Sequence, residues 1–206
     1  MPAEGTNSLD NLAFDLAQQA SELWGQLHPI VRLSVGDLVG SMNCYYSNLK
    51  EGHNTHPREI DCALTADYSA DPHRRDLQLE ARAHIEVQQK IDSKTGFPRP
   101  PASRAFVEWA HREFCTRLPK SLLVIEKPDT QERVPVLPGK LRTRSSAVGC
   151  HIPPPEEDVA AFMVRFEQAY DSTRLTKPRQ AVAAAAADCG RSLVGLLVAR
   201  ANTSAC

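Results

Sequence analysis

Ser47 and Glu51 stand four residues apart, directly before Gly52. On a helix this spacing puts a hydroxyl and a carboxylate on one face, where both can be presented to a cleft. A carboxylate presented to a cleft repels an anion there and can pair with an arginine that would otherwise bind that anion. A helix C-terminus slightly disfavours a carboxylate, so helix propensity does not account for Glu51. Other reactive groups are less well placed. His53 and His56 lie near Cys62, but their spacing matches no zinc template, and no metal site is expected. Cys150 and His151 are neighbours, and on an extended segment they point to opposite sides, which keeps thiol and imidazole apart. Arg133, Lys140, Arg142 and Arg144 cluster with Glu132 as the sole nearby acid. No aromatic residues interleave them, so the stretch reads as a solvated, partner-facing loop and not as a nucleic-acid site. No G-x-G-x-x-G, Walker loop or H-E-x-x-H occurs.

The elements that would carry these residues are mainly helical. Ser8 is expected to cap a helix bearing Leu9, Leu12, Leu16, Ala20 and Leu23 at spacings of three and four. Pro29 suits the first turn of a second helix, whose apolar stripe is Ile30, Val31, Val35, Leu38, Val39, Met42, Tyr46 and Leu49. Gly52 is placed to stop it, since glycine takes the left-handed conformation without steric cost. Thr55-His56-Pro57 opens a third helix to about Leu64, and Asp67 to Arg75 reads as a polar turn. A fourth helix is expected from about Asp76 to Ser93. A fifth, capped by Ser103, carries Phe106, Val107, Ala110, Phe114 and Leu118, and Pro119 closes it. Leu122 to Ile125 and Val134 to Leu137 are candidates for an edge hairpin, because Pro135 and Pro138 forbid a central strand. A second extended piece is expected between Gly139 and Val148. Pro155 then introduces a helix with Glu156 and Glu157 in its first turn, followed by Val159, Phe162, Met163, Phe166 and Tyr170.

Composition sets outer limits. With 206 residues, 42% hydrophobic and 24% charged, the chain can bury a core without disulfides. Its six cysteines are scattered, with no C-x-x-C, which reads as free thiols in a reducing compartment. The net charge of −1 supplies no global field for nucleic acid or an anionic membrane. The run Leu193 to Ala199 is short against the roughly 20 residues that span a bilayer. The N-terminus has no basic, then apolar, leader pattern, so a cytoplasmic location and no membrane partner are expected.

The stretch from Cys44 to Thr55 resembles the inhibitory segment of Fic-family proteins, whose signature is Ser/Thr-x-x-x-Glu-Gly/Asn. Ser47, Glu51 and Gly52 fill those places, and Thr55 and Glu59 fit the continuation. Glu80 to Gln88 resembles the helix preceding the Fic core in one bacterial branch. His111 to Phe114, followed by Arg117-Leu118-Pro119, is similar to the first core helix. Val136 to Thr143, Val148-Gly149 and Ile152 to Pro155 resemble the hairpin flap and its exit. The likeness runs in order from about Leu27 to Tyr170. It implies a Fic-like helical bundle with a small β-hairpin flap, in which Gly139, Lys140, Leu141, Arg142 and Thr143 would dock a target segment as an added strand. The implied organisation is an N-terminal helix (1–26), a helical region with the inhibitory helix (27–101), a partial Fic domain (102–187) and a tail outside the likeness (188–206).

Fic proteins transfer AMP from ATP, with Mg²⁺, to hydroxyls of target proteins. Their catalytic loop reads His-x-Phe-x-Asp/Glu-Gly-Asn-Gly-Arg-x-x-Arg and supplies general base, metal ligand and phosphate cradle. It is expected about twenty residues after Tyr170, yet no Gly-Asn-Gly-Arg occurs in the sequence. The likeness stops near Ala187, as if a reading-frame change had replaced the continuation. The resemblance therefore implies a bundle incomplete at its C-terminus, no catalytic residue, no cofactor of its own, and no AMP transfer by this chain alone. The alternative is an antitoxin-like binding protein that inhibits an intact Fic partner in trans through the Ser47–Glu51 helix. Partners would be a protein target or that intact Fic protein.

Overall fold

A computed structural model describes residues 7–50, 52–93, 96, 102–126, 132–143 and 154–171. The described chain is mainly helical. Helix α1 (Asn7–Gln26) is followed after two residues by α2 (Pro29–Lys50), then α3 (Pro57–Leu64), α4 (Pro72–Asp92) and α5 (Arg104–Cys115). A 3₁₀ turn over Lys120–Leu123 leads into strand β1 (Val124–Glu126), which pairs antiparallel with β2 (Arg133–Pro135). A second 3₁₀ turn, Glu156–Asp158, runs into α6 (Val159–Ala169).

Local signals set most of these boundaries. Ser103 Oγ accepts the Phe106 N–H at 3.1 Å and starts α5. Pro57 sits in the first turn of α3, and the His56 N–H donates to Glu59 Oε2 at 3.1 Å. Helix α4 begins at Pro72 and not at Asp76. Asp71 accepts from the backbone N–H groups of His73 and Arg74, and Pro72 needs no N–H donor there, so the expected polar turn is partly helix. Those two bonds hold the Asp71 carboxyl below its usual range, the Arg74 bond most strongly. Ser8 lies inside α1, which already begins at Asn7.

Helix α4 is the hub, with α2, α3 and α5 all packed on it. Gln78, Ala81 and Ile85 share one of its faces and Glu80, Ala83 and Val87 another, and all six are buried. The two alanines let neighbouring helices approach closely. Cys44 of α2, Ile60 of α3, and Ala81 and Ile85 of α4 form a core cluster, with Tyr45 packed against it. Helix α5 buries Phe106, Val107, Ala110 and Cys115. It meets α6, which buries Val159 and Met163, and the Arg104 N–H donates to Glu167 Oε1 at 2.5 Å.

The expected apolar stripe of α2 is not its buried face. Cys44 and Asn48 point into the protein, while Val35, Leu38, Val39, Tyr46 and Leu49 are exposed. Helix α1 has no extended packing partner among the described elements, and Leu12, Leu16, Leu23 and Trp24 are exposed although Ala13 is buried. Among the described residues no helix is long and apolar enough to cross a membrane.

Candidate functional site

The end of α2 is fixed by its own backbone. The Gly52 N–H donates to the Leu49 carbonyl at 3.1 Å and the His53 N–H to the Asn48 carbonyl at 2.8 Å. With Gly52 at φ +78, this is the paired bonding of a Schellman stop, in which the left-handed position favours glycine. Ser47 lies in the turn before it, half-buried. Glu51 lies outside the described residues.

Beneath this helix end sits a polar cluster that the sequence did not announce. Glu80 of α4 is buried, and its Oε2 lies 2.9 Å from His53 Nδ1 just past the stop. Cys44 is fully buried and its Sγ donates to the Ala81 carbonyl at 3.5 Å. Burial, and then the nearby Glu80 carboxylate, push the Cys44 thiol up to about 12, which makes it an inert core group and not a nucleophile. Asn48 and Thr55 are buried as well, and Asn48 Nδ2 and Thr55 Oγ1 have no hydrogen-bond partner among the described residues. Gln78 secures the connection between α3 and α4. Its Oε1 accepts the Ser69 N–H at 2.7 Å, while its amide nitrogen donates to the Glu59 and Asp67 carbonyls, each at 3.3 Å. His53 is thus a structural partner of Glu80, while His56 sits exposed at the start of α3. No three metal-ligating side chains converge among the described residues.

The expected flap residues begin as a turn. The Lys140 N–H donates to the Leu137 carbonyl at 3.1 Å, and Gly139 takes φ +74, as the third position of a Pro-Gly turn of type II requires. Gly139 is buried against α5, and its N–H donates to Nδ1 of the buried His111 at 3.1 Å. A side chain at this position would place Cβ 2.8 Å from Arg112 Nε and 3.0 Å from the Glu108 carbonyl oxygen. Burial pushes the His111 imidazole down to about 4. Beyond the turn Lys140 and Thr143 are exposed and Leu141 half-buried, while a guanidinium nitrogen of Arg142 donates to the Pro154 carbonyl. Residues 139–143 form no strand; the two-stranded sheet lies upstream, at β1 and β2. The remainder of the expected extended piece, with Arg144, Cys150 and His151, lies outside the described residues.

The segments quoted for α2, α4 and α5 meet around α4. An ion-pair chain ties α4 to α5. Arg82 bonds the Tyr68 hydroxyl at 2.6 Å and Glu86 at 2.8 Å, Arg117 bonds Glu86 at 3.2 Å and Glu113 at 2.8 Å, and Lys90 bonds Glu113 at 2.7 Å. The Arg82 bond holds Glu86 below the usual carboxylate range, and the Lys90 bond does the same for Glu113. These groups are partly exposed, so the chain orients the helices more than it stabilises them. Ser47 and the Gly139–Thr143 segment belong to different parts of this arrangement, on α2 and against α5. Compared with protein families, with curated proteins and with solved structures, the chain matches none.

Proposed function

We propose that these 206 residues form a Fic-type protein that does not transfer AMP by itself and whose α2 end is an inhibitory element. The observation that supports this reading is the way the helix end is held. The stop at Gly52, the His53–Glu80 contact and buried Cys44 and Asn48 fix the last turns of α2 on α3 and α4. A motif whose effect depends on placing one carboxylate against a phosphate site needs such a fixed base. Among the described residues Arg117 is engaged by Glu86 and Glu113, and Arg104 by Glu108.

A second reading is inhibition of an intact Fic protein in trans through the Ser47–Glu51 helix. It is supported by Tyr46 and Leu49, which lie on a different side of the last turns from Ser47 and, at 55% and 45% exposed, leave apolar surface there for a second protein. One assay separates the two readings. The chain alone, incubated with radiolabelled ATP and Mg²⁺, is expected to give no labelled protein; labelling would refute the first reading. Added in excess to an active Fic adenylyltransferase, it is expected to suppress AMP transfer, and Glu51→Gln to abolish the suppression. Undiminished transfer would refute the second.

A further inference from the structure

We propose that a second copy of this chain covers the apolar seams that α1 and the first half of α2 leave open, each α1 packing on the other copy's α2. The inference rests on the two helices and not on the family resemblance.

In α1, Leu9, Ala13, Leu16, Ala20 and Leu23 recur at alternating steps of four and three. In α2, Val31, Val35, Leu38 and Met42 do the same. This period belongs to helices that meet along a knobs-into-holes seam, and a surface helix on a globular core does not need it. The long side chains of both seams are open, Leu16 69% exposed and Leu38 62%, although Ala13 is buried and Met42 half-buried. The helices are of matching length, 20 and 22 residues, joined by Leu27 and His28. Arg32 lies over the Trp24 ring at 5.1 Å and bonds the Leu27 carbonyl at 2.8 Å, which braces the link.

Area and charge favour a second copy. Leu12, Leu16, Leu23 and Trp24 of α1 and Val31, Val35 and Leu38 of α2, each 43–69% exposed, present on the order of 800 Å² of accessible surface. That is about what each partner contributes to a stable interface of standard size. On the helical wheel Asp15 and Glu22 fall on the side of α1 away from its seam, so pairing acidic α1 with a second copy brings no like charges into the contact. A twofold pairing of two helices per copy closes on itself as a four-helix arrangement and leaves no open end.

The test is sedimentation equilibrium of the full chain from 1 to 100 μM. The monomer mass is 22.7 kDa, and a species of twice that mass is expected to dominate at the upper concentrations. Leu16→Glu and Leu38→Glu, one on each seam, are each expected to shift the population to monomer. Phe162→Glu, exposed on α6, is expected to leave the dimer intact. A monomer at all concentrations overturns the proposal and assigns the seams to other residues of the chain or to a different protein. Polydisperse larger species also overturn it, as does a dimer indifferent to both seam variants. Should a seam variant unfold, hydrogen exchange of the wild type decides. Protection of α1 and the first half of α2 is expected to rise from 1 to 100 μM, and unchanged protection there overturns the proposal.

Discussion

His111 offers a perturbation whose magnitude follows from the structure. Its side chain is 4% exposed, and Nδ1 accepts the Gly139 N–H. The neutral ring therefore carries its proton on Nε2. Burial disfavours the charged ring and pushes the imidazole down to about 4 from 6.5; protonating Nδ1 would also set it as a donor against the Gly139 N–H. Between these values the unfolded chain binds the proton and the folded chain does not. Stability from this group is therefore complete above pH 6.5 and is lost as pH falls from 6.5 towards 4. The full loss corresponds to roughly 3 kcal/mol, of which about 2 kcal/mol is gone by pH 5.

His111→Asn separates titration from packing. The asparagine carbonyl branches at the same atom as Nδ1, so an acceptor for Gly139 is retained while the proton site is removed. At pH 7.5 the variant is expected to be weaker by roughly 1–3 kcal/mol from lost ring volume. Between pH 7.5 and 5.0 it should lose about 2 kcal/mol less than the wild type. Urea unfolding followed by circular dichroism, at one protein concentration and with m-values compared, reads both numbers. Glu86, Glu113 and the remaining histidines are common to both proteins and cancel in the comparison. Equal losses in the two proteins over this pH interval would refute the account of His111 as a buried neutral clamp on the Gly139 turn.

Two further outcomes are open to direct measurement. Gly139→Ala forces a side chain into a φ of +74 and against the Glu108 carbonyl oxygen, so its urea midpoint should fall by the equivalent of about 2–3 kcal/mol; a change under about 0.5 kcal/mol would mean that the turn does not pack on α5. Cys44, with its thiol pushed up to about 12, should resist N-ethylmaleimide at pH 8 while half-buried Cys62 reacts, and both should react in guanidinium. Peptide mass spectrometry reads the pattern, and labelling of native Cys44 at the rate of Cys62 would refute its burial.

Helix existence was legible in the sequence wherever a boundary had a local cause. Ser103 with the following Phe106 N–H, Pro57 in a first turn, and Gly52 past a last turn each set a terminus through one short-range interaction. The Asp71-Pro72 start of α4 has the same kind of cause, but it is embedded in charged residues that read as loop. What was not legible is which apolar side gets covered. The α2 periodicity marks Val35, Leu38, Val39, Tyr46 and Leu49 as one apolar face, yet packing on α4 selects the face of Cys44 and Asn48. Glu80, Gln78 and His111 were missed because polar residues are ordinarily exposed. Each is buried by a partner distant in sequence: His53 for Glu80, the Ser69 and Asp67 backbone for Gln78, and Gly139 for His111. A trace of this survives in α4, where Glu80 and Gln78 lie on faces shared with Ala81, Ala83, Ile85 and Val87.

The geometry of α2 also decides how much each residue of the Ser47–Glu51–Gly52 pattern can say about function. Gly52 is accounted for by the helix stop alone, since the φ of +78 and the bonds to the Leu49 and Asn48 carbonyls require a residue that tolerates the left-handed region. A glycine with so complete a structural cause adds no weight to an inhibitory reading. Ser47 takes no part in the bonds that hold this turn, which run through Leu49, Asn48, His53, Glu80, Cys44 and Ala81. Nor does any of those bonds call for the carboxylate of Glu51, and a helix C-terminus mildly disfavours one. Functional weight therefore falls on Ser47 and Glu51. Gly52→Ala would disturb the helix end through backbone strain and so confound placement with chemistry, whereas Glu51→Gln removes the charge, keeps the side-chain shape and leaves the Gly52 stop in place. Loss of inhibition in the Glu51 variant, with urea stability of the α2–α4 contact retained, is the result that assigns the effect to charge at that position and not to the fold that presents it.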